Sequence, residues 1–224
     1  MDPKIGDVHE LWNKRWTDGQ TGFHEGAPNA LLATHVARIE ERKPRARILV
    51  PLSGKAVDLR WLAERGHDVV GVEFVERAVH AFFEEQKLTP VASQIGGAPA
   101  LSAAGVTLVC GDFFEVASEA LGEFDVVFDR AALVAVEPPL RARYVETCRA
   151  RLADGGVIFL VAFAYDQSRA PGPPWSVPPD VVRELYGPSS ASIEELETRA
   201  APANPRLTAA GIPALMETAY LIRT

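Results

Sequence analysis

Two runs decide the fold: Arg47-Ile48-Leu49-Val50-Pro51-Leu52-Ser53-Gly54-Lys55 and Asp68-Val69-Val70-Gly71-Val72-Glu73-Phe74. Each is short and β-branched. Between them the residues take helical spacing from about Ala56, with Val57, Trp61 and Leu62 on one face and a stop at Gly66. Strand, helix and strand in that order read as a βαβ unit on a parallel sheet. The pattern continues outward. Ala78, Val79, Phe82 and Phe83 form one face of the next helix, and further strands fall at 107–112 and 124–129. A helix at about 140–152 turns Leu140, Tyr144, Val145, Cys148 and Leu152 inward and Arg141, Arg143, Arg149 and Arg151 outward. Pro138-Pro139 opens it and Gly155-Gly156 closes it. The apolar run 157–165 reads as the central strand, because a strand covered on both faces loses its alternation. Residues 215–223 form a final strand after the Gly211-Ile212-Pro213 turn. The small-residue stretch 89–105 and the proline-rich 166–179 read as long loops.

The chain has 224 residues, 47% hydrophobic and 24% charged, which excludes disordered and fibrous classes. Nothing separates a second domain: residues 1–224 read as one, with a helical cap at 1–45 on a core at 46–224. A net charge of −7 without a basic tract argues against nucleic acid as a partner. Cys110 and Cys148 match no metal-ligand spacing and fit a reducing, cytoplasmic setting. The start, Met1-Asp2-Pro3-Lys4, opens no apolar leader, and no stretch approaches the ~18 apolar residues of a membrane span.

Open α/β sheets bind ligands at the carboxyl ends of their strands. After the first strand stands a single Gly54. A phosphate-cradling loop needs a glycine where Leu49 stands and a hydroxyl where Ala56 stands. None of the 17 glycines forms G-x-G, so a pyrophosphate has no turn to approach and a nicotinamide oxidoreductase is disfavoured. At the end of the second strand Glu73 can accept from both ribose hydroxyls. After the third, Asp112 suits an adenine amine, beside the aromatic faces of Phe113 and Phe114. One glycine turn, a ribose-binding acid and an adenine-end acid describe a pocket for S-adenosylmethionine.

At these residues the chain resembles the thiopurine S-methyltransferase family. The resemblance rests on Trp12-Asn13-Lys14-Arg15-Trp16, Thr21-Gly22-Phe23-His24, Val50-Pro51-Leu52-Ser53-Gly54-Lys55 and Gly66-His67-Asp68-Val69-Val70-Gly71-Val72-Glu73. It continues through Cys110-Gly111-Asp112-Phe113-Phe114, Asp129-Arg130-Ala131-Ala132-Leu133, Tyr165-Asp166-Gln167 and Gly172-Pro173-Pro174-Trp175-Ser176-Val177. It implies a Rossmann-like α/β methyltransferase: a mostly parallel seven-stranded sheet, helices on both faces and an antiparallel last strand. It further implies that Trp12, Trp16, Leu52, Gly54, Glu73 and Arg130 contact the methyl donor, with Asp112 and Phe113 near its adenine. Phe23 aligns with a residue that touches the acceptor, and Arg206 with a second acceptor-side arginine. Trp175 replaces a frequent phenylalanine in the proline-rich loop, which bears on acceptor shape; Ser53 stands where cysteine is frequent. A monomer is implied.

The donor is a sulfonium cation, which aromatic faces attract. Trp12 and Trp16, four apart, would share one helix face. Two roles are open to Arg130: holding the donor's carboxylate, or favouring the acceptor's anion; a pair with adjacent Asp129 is compatible with either. His24 is a remote candidate for moving a proton, and the five histidines show no metal spacing, so no metal is expected. The expected activity is transfer of a methyl group to a small aromatic or heterocyclic thiol. Selenium, tellurium or halide species are alternative soft nucleophiles, and a non-catalytic nucleoside-binding protein is the rival from another class.

Overall fold

The structure is a computed structural model that describes residues 5–21 and 24–224. Helix α1 (Ile5–Thr17) is followed by α2 (Ala30–His35), α3 (Ala37–Glu40), strand β1 (Arg47–Pro51), α4 (Val57–Glu64), β2 (Asp68–Glu73) and α5 (Glu76–Glu85). Then come β3 (Val91–Ile95), β4 (Ala98–Ala103), β5 (Val106–Cys110), α6 (Ser118–Leu121), β6 (Phe124–Arg130) and α7 (Arg141–Arg149). The chain ends with β7 (Leu152–Ala164), α8 (Pro179–Tyr186), β8 (Ser192–Pro202), α9 (Pro205–Ala209) and β9 (Ala214–Arg223). No helix of the described residues is long and apolar enough to cross a membrane.

The strands form one sheet in the order β3-β4-β5-β2-β1-β6-β7-β9-β8. From β1 the chain moves outward through β2 to β5, then returns to the other side of β1 for β6 and β7, all parallel. The order therefore reverses between β1 and β6, and the crevice of such a sheet opens there. β9 runs antiparallel between β7 and β8, the expected antiparallel last strand. β1 and the second half of β7 are buried along nearly their whole length, which accounts for their unbroken apolar runs. One face of the sheet is covered by Leu31, Leu32, Leu59, Leu62, Val79, Phe82 and Phe83. The other is covered by Tyr144, Val145, Cys148, Val182 and Tyr186.

The sheet has nine strands among the described residues, against seven expected, because 89–105 is a β-hairpin and not a loop. Its small residues show no alternation to read. β4 pairs antiparallel with β5, while β3 forms an exposed edge. On α4 the buried positions are Asp58, Leu59 and Leu62; Val57 and Trp61 are only partly covered. Helix α7 stops at Arg149, and Gly155 and Gly156 lie within β7.

Arg141 and Arg151, expected outward, are buried. Arg151 Nη2 donates to the carbonyls of Phe113 (2.9 Å) and Val116 (2.7 Å), and its guanidinium lies 4.4 Å from the Phe113 ring centroid. It thereby holds the turn that follows Asp112. Arg151→Ala leaves two carbonyls without that donor and should lower the unfolding free energy by roughly 2–5 kcal/mol in urea titration. Arg143→Ala, an exposed pair with Glu115, should change it by no more than ~1 kcal/mol.

Candidate active site

The carboxyl ends of β5, β2, β1 and β6 lie side by side and present Asp112, Glu73, the 52–54 turn and Arg130. The turn after β1 is left-handed twice, at Leu52 (φ 46°) and Gly54 (φ 52°), and Ala131 after β6 is left-handed as well (φ 63°). Left-handed non-glycine residues thus flank the switch point on both strands. Strain of about 1–3 kcal/mol per residue is typical of functional sites. A Cβ on Gly54 would meet His24 Cε1 at 2.6 Å and Trp16 Cζ2 at 3.4 Å, so the N-terminal segment packs directly on the glycine turn.

Glu73 is buried, yet its carboxylate is anchored. Oε2 accepts from the Gly54 amide (2.9 Å) and Oε1 from the Val75 amide (2.8 Å), tying the β1 turn to the start of α5. Burial raises its pKa to about 7 against the pull of those amides. Asp112 Oδ1 accepts from the Phe114 amide (2.8 Å), and Oδ2 accepts from His9 Nε2 (2.8 Å). The His9 imidazole also stacks on Phe74, centroids 4.2 Å apart and planes 21° from parallel.

Asp129 and Arg130 are consecutive on a strand, so they face opposite sides of the sheet. This rules out the adjacent pair. Asp129 Oδ2 accepts from Tyr144 Oη (2.8 Å) and Oδ1 from the Leu133 amide (3.1 Å); burial raises its pKa to about 6. Arg130, nearly buried, pairs with Glu25 at 2.5 Å. His24 stays neutral: burial, then Lys55 and Arg130, depress its pKa to about 3. Burial pushes the Cys110 thiol up, with Glu76 and Glu73 adding to it.

The remaining predicted residues are placed as follows. Trp16 is buried with Val75 and Ala78, and Trp12 packs on the same cluster, one face of α1 as the spacing requires. The Phe113 side chain is buried against Tyr144, directly after Asp112. Arg206 donates from Nη1 to Pro173 O (2.6 Å) and from Nη2 to Pro171 O (2.8 Å), gripping the proline-rich loop. In the same loop the Trp175 ring lies on Gly172, where a Cβ would meet it at 2.1 Å. Phe23 lies outside the described residues. His9 and Glu25, both in contact with the site, were missed as site residues. The only signal for His9 was its position three residues before Trp12, on one helical face.

Comparison with known proteins follows the same direction. The thiopurine S-methyltransferase family profile matches residues 8–224. A thiopurine S-methyltransferase of Methylococcus capsulatus is 38% identical over 225 residues, covering 100% of this chain and 98% of the relative. One from Pseudomonas aeruginosa (strain UCBPP-PA14) is 43% identical, covering 84% of this chain and 85% of the relative. Among solved structures, the 1,6-didemethyltoxoflavin-N1-methyltransferase of Burkholderia thailandensis, with bound S-adenosylhomocysteine, superposes at a TM-score of 0.64 and 17% identity. That match covers 100% of this chain and 93% of the neighbour. The magnesium protoporphyrin IX methyltransferase of Synechocystis PCC 6803 gives 0.64 at 12% identity, covering 98% and 99%. At those identities the structural matches speak for the fold.

The two raised carboxyls set the pH dependence of stability. Folding raises Glu73 from 4.5 to about 7 and Asp129 from 3.8 to about 6. The folded state then binds more protons than the unfolded one, so stability from these groups is full below about pH 4 and lost as pH rises to about 7. In urea titrations between pH 4.5 and 7.5, Glu73→Gln should flatten the wild-type decline by up to ~1.4 kcal/mol per pH unit.

Proposed function

The chain belongs to the thiopurine S-methyltransferase family, and from that premise we propose that it methylates a small aromatic or heterocyclic thiol at the β1–β6 crevice. S-adenosylmethionine is its methyl donor. Bound there, the donor supplies an electrophilic methyl group on a sulfonium whose charge vanishes as the methyl leaves. The observation that carries the assignment of the pocket is Glu73: a buried carboxylate whose two oxygens are each aimed by a backbone amide. A carboxylate has about four acceptor positions, so it keeps capacity beyond its backbone amides, which suits ribose hydroxyls.

The chain's other residues fit the rest of the donor. Asp112, two strands from β1, suits the adenine amine, with Phe74 as a stacking face. Leu52 and Gly54 bring the backbone close, and Arg130 suits the donor's carboxylate through a charge-assisted pair. Trp12 and Trp16 suit the wall beside the sulfonium. His24, kept neutral beside Lys55 and Arg130, spares that cation a third positive neighbour. A residue with so low a pKa is a poor base, and a thiol needs little help to become its own anion. The work left to the protein is alignment and exclusion of water. On the acceptor side, Arg206 and Trp175 act through the loop they shape, with Phe23 as a direct contact. In this reading residues 1–45 cap the core 46–224, and the protein works as a cytoplasmic monomer on a small-molecule acceptor.

The test is release of S-adenosylhomocysteine with thiopurines, thiophenols, aliphatic thiols, selenite, tellurite and iodide, and a catechol as oxygen control. Turnover is expected on aromatic and heterocyclic thiols and not on the catechol. Binding of the donor without turnover on any acceptor would favour a nucleoside-binding protein. Glu73→Ala should weaken S-adenosylhomocysteine by at least ~1–3 kcal/mol, and Arg130→Met by a similar amount while sparing 5′-methylthioadenosine, which lacks the amino-acid end.

A further inference from the structure

Two side chains of the N-terminal segment meet the residues assigned above to the two ends of the donor, and each does so with the donor's own chemistry. His9 offers an aromatic ring to Phe74 and a ring N–H to Asp112, as an adenine would. Glu25 offers a carboxylate to Arg130, as the methionine end would. We infer that His9 and Glu25 are internal competitors of the donor, an adenine surrogate and a carboxylate surrogate that it must displace. The inference rests on the donor-site reading of Proposed function.

Geometry makes the His9 contact exclusive. A base seated between His9 and Phe74 needs roughly 7 Å between the rings, two van der Waals separations of ~3.5 Å. They stand 4.2 Å apart. His9 must therefore leave before a base can stack on that face of Phe74. The Asp112 oxygen not engaged by Phe114 is the one that His9 takes. At the other end, Glu25 sits on Nη2 of Arg130, the nitrogen shared by both bidentate edges of the fork, so a second carboxylate competes with it there. Neither competitor is locked into the core: the side chains of His9 and Glu25 remain 35% and 42% exposed. Both therefore have room to swing away.

A pocket open only part of the time binds with an affinity reduced by the open fraction. Removing a competitor should therefore tighten binding, where removing an ordinary binding or structural residue would weaken it. The experiment is calorimetric titration of full-length wild type, His9→Ala and Glu25→Gln with S-adenosylhomocysteine and with 5′-methylthioadenosine. His9→Ala should bind both ligands about three- to tenfold more tightly. Glu25→Gln should tighten S-adenosylhomocysteine by a similar factor and leave 5′-methylthioadenosine unchanged. Unchanged or weaker binding of both ligands by His9→Ala overturns the adenine surrogate, and no gain for S-adenosylhomocysteine in Glu25→Gln overturns the carboxylate surrogate. A wild-type protein that binds neither ligand overturns the donor-site reading itself. His9→Asn, which keeps a donor for Asp112 but loses the ring, should fall between wild type and His9→Ala.

Discussion

The buried Glu73 carboxylate is the constraint around which the site is built. One side chain ties the turn after β1 to the start of α5, and it does so in a place where a charge is unwelcome. The backbone amides of Val75, Gly54 and Phe74 offset part of that desolvation, and the pKa still stands at about 7. A ligand that brings hydroxyl donors would relieve the remainder, so the group that costs stability at neutral pH is also one that rewards binding. The left-handed turns at Leu52, Gly54 and Ala131 belong to the same arrangement. They bend the chain sharply at the ends of β1 and β6, which brings backbone and side chains to the crevice at the expense of local strain at Leu52 and Ala131.

Strand alternation sorts the remaining charges. Asp129 and Arg130 are neighbours in sequence and strangers in space: one enters the core and meets Tyr144, the other meets the N-terminal segment. The Asp129–Tyr144 bond couples β6 to α7, and Arg151, just after α7, reaches back to the carbonyls behind Asp112. Core and site are thus joined at two points on the same side of the sheet. Tyr144 and Arg151, which make those two joins, are themselves buried.

Much of this was legible in the sequence, for a physical reason. Parallel strands buried on both faces must be apolar throughout, and the residue after such a strand sits at the ligand crevice, so β1, β2, β5, β6 and their terminal residues could be read in order. The β3–β4 hairpin could not. Its residues are small and largely exposed, with Val91 at 72%, and its pairing is set by β5, outside the segment. The inward turn of Arg151 was hidden because its acceptors are carbonyls in another segment. The contacts of His9 and Glu25 span about a hundred residues of chain, and no local pattern announces a partner that far away.

The same packing explains why a single glycine serves this turn where a dinucleotide site needs more. In a dinucleotide fold the missing side chains let the backbone approach a pyrophosphate at a helix N-terminus. Here the space left by the absent Cβ of Gly54 is taken by His24, with Trp16 behind it. Those rings are apolar or neutral and nearly close the turn, and α4 begins at Val57 without a side-chain cap. A doubly charged pyrophosphate would have to displace the partly buried His24, with the buried Trp16 behind it. A ligand with a ribose and no phosphate needs only the Glu73 side of the turn. The packing of His24 and Trp16 on Gly54 thus argues against a pyrophosphate at this turn, alongside the glycine count.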